Sequence, residues 1–303
     1  MKRLTYAVLM VVTLLPLATA CGDDEPAAPE PTDLPSSVTI ELGDRPFQLY
    51  IPESYDGAQP VPLVIGLHGY TSHSAEMESY FTLADEAERR GFLYAMPDGT
   101  LDRGRDQFWN ATNACCDFNG SNVDDSAYLS ELIETVESSY SVDADRVFIL
   151  GHSNGGYMSH RMACDHADQI TAIASLAGMV WADPSRCTPS EPVSVLQIHG
   201  TADDTVAFAG SAFSSNRAYP GAEQTVALWR DLNGCTDVVD SSAPNLDLDI
   251  AVMDAETTVT RYTDGCDDGT RVELWRMDGS GHVPRLTDAF TPAVIDFFYA
   301  AAG

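Results

Sequence analysis

Residues 146–156 read RVFILGHSNGG, an apolar run that ends in G-x-S-x-G. The run has the length of a buried β-strand, and NGGYMSHRMACDHA (154–167) behind it has helical spacing. A serine on a tight strand-to-helix turn is lifted clear of the sheet, next to the positive end of the helix. Gly151 and Gly155 suit that turn because side chains there would collide with neighbouring backbone. Ser153 is therefore the candidate nucleophile, and it needs a base to take its proton.

Outward from this turn, short apolar strands alternate with amphipathic helices. SVTIEL (37–42) and PFQLYIP (46–52) flank a turn as an antiparallel hairpin. Buried strands are predicted in VPLVIGLHG (61–69), FLYAMPDG (92–99), ITAIASLAG (170–178), VSVLQIHG (193–200) and RVELWRMDG (271–279). Helices are predicted over 74–91 as one element, 124–140, 222–235 and 287–303. This order implies an α/β fold with a mostly parallel central sheet and helices on both faces. In such a sheet the loops leaving the strand C-termini line the functional crevice. Those loops are HGY (68–70), GHSNG (151–155), HGTADD (199–204) and GSGH (279–282).

The partners of Ser153 follow from chain order, because a strand–Ser–helix site places its acid and then its histidine downstream. Of the seven histidines, only His199 and His282 follow Ser153 with appreciable separation. His199 precedes the acid candidates, which leaves His282 as the base. Asp203 and Asp204 follow a buried strand directly; Asp203 is the expected acid and Asp204 the solvated neighbour. The oxyanion hole is expected from the backbone N–H groups of Tyr70 and Asn154. His68 and His199 occupy similar H-G turns and read as structural. Trp109, in FWN (108–110), is the candidate substrate contact, with core packing as the alternative.

Composition narrows the chemistry. The formal charge is −30, which argues against nucleic acid and anionic membrane surfaces as partners. The only lysine is Lys2, which excludes Schiff-base, Walker A and Ser–Lys chemistry for a processed chain. MKR followed by LTYAVLMVVTLLPLA reads as a signal peptide over 1–20. ATA before Cys21 suggests lipidation of that cysteine; plain cleavage after Ala20 is the alternative. A single lipid would be the only membrane attachment. Residues 21–36 then form the anchor cysteine and a proline-rich acidic tether, and 37–303 the catalytic domain.

Seven cysteines become six once Cys21 is set aside, enough for three disulfides in an exported protein. No C-x-x-C spacing suggests a metal. Cys235 at a helix end and Cys266 before the last strand are the expected pair. The pairing of Cys115, Cys116, Cys164 and Cys187 is not readable from spacing.

From about residue 38 the chain resembles the polyhydroxybutyrate-depolymerase and feruloyl/acetylxylan-esterase-like family of exported α/β-hydrolases. The carrying motifs are GLHGYT, FWNATNACCDF with NVDDSAYLSELI, DRVFILGHSNGGYMSHRMAC, PVSVLQIHGTADDTV, LWRDLNGC and GSGH, in that order. The resemblance implies an α/β-hydrolase fold and a serine carboxylic-ester hydrolase acting through an acyl-enzyme without metal or organic cofactor. It places the triad on Ser153, Asp203 and His282 and matches the six remaining cysteines. Esters of short acyl, hydroxyalkanoate, or feruloyl and acetyl carbohydrate type are the implied substrates. The chain departs from the family beside the site, with VPR after His282 and VAF where the family has V-P-Y. About 15 residues separate SLAG from VSVLQ, too few for a large lid domain. The competing readings are a serine peptidase on the same scaffold and a catalytically silent envelope-binding protein.

Overall fold

Strand residues that alternate between two faces need two separate layers of cover, and the chain supplies both. In the computed structural model, which describes residues 36–212 and 217–303, the elements run β1 (Ser37–Ile40), β2 (Phe47–Tyr50), β3 (Val61–Leu67), α1 (Ser74–Phe81), α2 (Leu83–Arg90), β4 (Leu93–Met96), β5 (Thr100–Leu101), β6 (Gln107–Phe108) and α3 (Asp125–Ser139). They continue as β7 (Val142–His152), α4 (Asn154–Asp165), β8 (Ala172–Leu176), β9 (Ser194–Gly200), α5 (Ala222–Leu232), β10 (Thr257–Tyr262), β11 (Val272–Met277) and α6 (Phe290–Ala301). The expected signal peptide, Cys21 and all of the tether except Ser36 lie outside the described residues.

Nine strands form one sheet in the order β1-β2-β4-β3-β7-β8-β9-β11-β10. The six from β4 to β11 pair in parallel, while β1, β2 and β10 join antiparallel at the two edges. On one face Leu63, Ile65, Val147 and Ile149 pack under Leu132 of α3, Met158 of α4 and Trp229 of α5. On the other, Val64, Phe148 and Leu150 pack under Phe81 of α1, Leu83 of α2 and Phe298 of α6. This period-2 division is what buries both faces of a central strand. A short second sheet, β5 with β6, lies outside the main one.

The single helix expected over 74–91 is broken. Thr82 sits at φ 51°, ψ 41°, ending α1 and preceding α2. Its N–H bonds to the Glu78 carbonyl, and the Glu78 carboxylate accepts from the Ala84 N–H, so both helix ends are satisfied locally. The break brings Phe81 and Leu83 onto the same core. A straight helix would place residues two apart about 200° from one another. The edge strand β10 and the β5–β6 pair were not expected, because TTVTRY and the two-residue strands lack a long apolar run.

Candidate active site

Ser153 stands between β7 and α4 with φ 54° and ψ −115°, a region that a residue with a side chain enters only at a cost. Close backbone approaches hold it there. A Cβ on Gly151 would lie 2.1 Å from the Gly155 carbonyl oxygen, and one on Gly155 2.1 Å from that of Leu67. The Ser153 N–H also donates to the Leu176 carbonyl, at the end of β8, at 2.7 Å.

The loops at this end of the sheet bring the expected residues together. The Ser153 hydroxyl donates to His282 Nε2 at 2.8 Å, and His282 Nδ1–H donates to Asp203 Oδ2 at 2.8 Å. The second oxygen of Asp203 accepts from the N–H groups of Thr205 and Val206 at 2.9 and 2.8 Å. Asp204 is exposed and bonds only to the Thr205 hydroxyl among the described residues. Burial pushes the Asp203 carboxyl up, but hydrogen bonds from His199 and His282 outweigh it and hold the group well below the usual carboxylate range.

Behind Asp203 runs a buried chain of polar groups that sequence reasoning missed. Trp229 Nε1–H donates to His160 Nδ1 at 3.0 Å, and His160 Nε2–H to Gln197 Oε1 at 2.9 Å. Gln197 Nε2 donates to the Gly178 carbonyl and to His199 Nδ1 at 2.9 and 3.3 Å. The His199 Nε2–H donates to the Val206 carbonyl at 2.7 Å and lies 3.2 Å from Asp203 Oδ2. One proton on each imidazole makes every direction consistent, and burial pushes His160 down to about 4, so it is neutral at working pH. His199 is thereby fixed as a donor toward the carboxylate. The signal for it was present in VLQIHG: Gln197 and His199 are two apart on one strand and share a face.

Among the described residues the N–H groups of Tyr70 and Asn154 have no hydrogen-bond acceptor in the protein, the state expected of oxyanion donors. The Asn154 side chain has a separate task. Its Oδ1 accepts from the Trp109 N–H at 2.7 Å and its Nδ2 donates to the Trp109 carbonyl at 2.8 Å. Trp109 itself corrects the expectation of a substrate contact: it is 0% exposed, and its indole N–H donates to the His68 carbonyl. Its ring is core, and only its backbone borders the site. His68 is structural as expected, its Nδ1 bonding the Gly69 carbonyl and its Nε2 accepting from the Gly99 N–H.

The loop that carries His282 is gripped from below. His152 Nε2–H donates to the His282 carbonyl at 2.9 Å, and the Tyr80 hydroxyl donates to the Pro284 carbonyl at 2.9 Å. Burial pushes His152 down to about 4, so it serves as a neutral donor. Replacing His152 by leucine leaves that carbonyl without its donor and frees the loop. The expected result is a fall in kcat of about 10²-fold with KM little changed, the mark of a displaced His282. Steady-state kinetics on a soluble ester separates the two constants.

The described residues hold three disulfides. Cys235 is bonded to Cys266, the adjacent Cys115 and Cys116 to each other, and Cys164 at the end of α4 to Cys187. The loop between β8 and β9 contains a single short 3₁₀ turn and no inserted domain.

Known proteins share this frame. The Esterase family model, whose description reads "Putative esterase", matches residues 39–254. Feruloyl esterase B of Piromyces equi is 27% identical over 238 residues, which cover 76% of this chain and 41% of that protein. The chain thus spans well under half the length of that relative. Feruloyl esterase D of Neurospora crassa is 24% identical over 310 residues, covering 95% of this chain and 91% of that one. Among solved structures, an acetyl xylan esterase from Aspergillus awamori superposes with a TM-score of 0.61 at 14% identity, covering 88% of this chain and all of that one. That likeness shows the α/β-hydrolase fold, and the family match shows that the chain belongs to the esterase family of carboxylic-ester hydrolases.

Proposed function

We propose that the protein cleaves feruloyl or acetyl esters of carbohydrates through Ser153, His282 and Asp203. The observation that carries the reading is the continuous hydrogen-bonded line from the Ser153 hydroxyl through His282 to Asp203. His282 Nε2 takes the serine proton as Oγ attacks the ester carbonyl, and the imidazolium gives that proton to the leaving alcohol. The acyl group stays on Ser153 until water, activated by the same imidazole, releases it. The amides of Tyr70 and Asn154 receive the charge that develops on the carbonyl oxygen. Asp203, itself held by His199, fixes the tautomer of His282. The names of the relatives support the feruloyl and acetyl assignment.

The test is a comparison of kcat/KM on feruloyl methyl ester, acetylated xylan, a short-chain 4-nitrophenyl ester, 3-hydroxybutyrate oligomers and a peptide anilide. The feruloyl or acetyl-sugar substrates are expected to lead by at least about tenfold, with the anilide inert. Preference for hydroxybutyrate oligomers would overturn the carbohydrate assignment, and cleavage of the anilide alone would overturn the esterase reading.

A further inference from the structure

A cleft of about 550 Å³ opens between Asn110, Phe118, Trp181, Arg186 and Arg217. Asn110 forms part of its floor and follows Trp109, whose backbone is paired to Asn154. Phe118 forms part of its wall and packs edge-on against the Tyr70 ring at 5.4 Å between centroids. Through Asn110 and Phe118 the cleft borders the residues that position Asn154 and Tyr70.

Two arginines of the cleft stand apart from any carboxylate among the described residues. The chain has 46 acidic and 16 basic residues, so an arginine should readily find a carboxylate. Nine of the fourteen described arginines do, Arg45, Arg90 and Arg261 among them, while Arg103, Arg105 and Arg285 do not. Arg186 and Arg217, which line the cleft, have no carboxylate within 4.0 Å among the described residues. Instead, the Arg217 guanidinium lies over the Phe118 ring at 4.8 Å and that of Arg186 over the Trp181 ring at 5.9 Å. A guanidinium stacked on a ring keeps its in-plane N–H groups available for a planar anion. Trp181 is 5% exposed, and its indole N–H has no hydrogen-bond partner among the described residues. The carboxylates of the cleft are already engaged: Asp165 accepts from Arg161 and Ser126, and Asp117 from the N–H groups of Ser121 and Asn122.

We propose that this cleft is the saccharide subsite on the alcohol side of the ester, and that Arg186 and Arg217 select a chain bearing a uronic-acid carboxylate. It rests on the carbohydrate-ester reading for its place in catalysis. Planar donors beside the exposed Phe118 ring suit a sugar that carries a carboxylate. A protein of net charge −30 draws no anion from a distance, so the selection is made by short contacts inside the cleft.

Binding of ester-free oligosaccharides tests the subsite without any turnover. Calorimetry compares a xylo-oligosaccharide carrying one glucuronic acid with the neutral oligosaccharide of equal length and with free glucuronate. The expected result is at least about tenfold tighter binding of the acidic chain than of either control. In Arg186→Gln/Arg217→Gln the acidic and neutral chains should bind alike, with the wild-type unfolding temperature retained. Equal affinity for both chains in the wild type overturns the proposal without recourse to a variant. So does free glucuronate binding as tightly as the chain, or a preference that survives the double substitution. Should no ester be hydrolysed while the acidic chain is still preferred, the subsite stands and the reading of the reaction falls.

Discussion

Replacing Ser153 by alanine is expected to lower kcat on any ester by about 10⁶-fold while leaving the unfolding temperature near that of the wild type. In the proposed reaction this hydroxyl is the attacking group, and among the described residues its side-chain hydrogen bond goes to His282. What remains is the pair of amides at Tyr70 and Asn154 with whatever binding the surface provides, which leaves a residual rate of about 10³ over water. The backbone of residue 153 is held by its bond to Leu176 and by the contacts at Gly151 and Gly155, none of which involves the side chain. A fluorophosphonate should label the wild type once and the variant not at all. An unchanged rate in the alanine variant would remove Ser153 from the reaction.

The second large effect is expected at Asp203. The Asp203→Asn variant should lose about 10⁴-fold in kcat. One oxygen of Asp203 already receives two backbone N–H groups, from Thr205 and Val206. The amide oxygen of asparagine must take that position, which turns its NH₂ group toward His282 Nδ1 and His199. Nδ1 then has to accept, the ring proton moves to Nε2, and the base can no longer take the serine proton. Asp204→Asn is the control and should behave as wild type, because Asp204 faces solvent. The same variant has a pH signature. The folded-state value of Asp203 lies below that of a free aspartate, so its ionised form adds stability above about pH 4 and loses that contribution as pH falls through the lower folded value. The variant should therefore melt below the wild type at neutral pH, and the gap should narrow in acid. Thermal unfolding across pH measures it.

Much of the sheet was legible because each central strand is an apolar run bounded by glycine, proline or a charged turn. The line of Ser153, Asp203 and His282 was legible because chain order and strand ends leave few choices. What escaped was whatever depends on contacts remote in sequence. Thr82 breaks a helix because Phe81 and Leu83 must reach one core, which no local propensity announces. Trp109 beside a candidate site reads equally well as platform or core, and only its packing decides. The line from Trp229 to His199 joins two helices and a strand, so no window along the chain contains it. The partner of Cys164 depended on where the loop after β8 comes to rest.

In G-x-S-x-G the residue before the serine is written as free, yet in this chain it gives the site a common mount. His152 is bonded covalently to Ser153 and by hydrogen bond to the His282 carbonyl. A small slide of β7 relative to its neighbours would therefore carry Ser153 and the His282 loop together and leave their separation almost unchanged. The spacing between the Ser153 hydroxyl and His282 Nε2 is referenced to one residue rather than to the whole sheet. Such a site tolerates sequence drift in the strands beneath it, and it is most vulnerable at a position that the motif leaves unspecified.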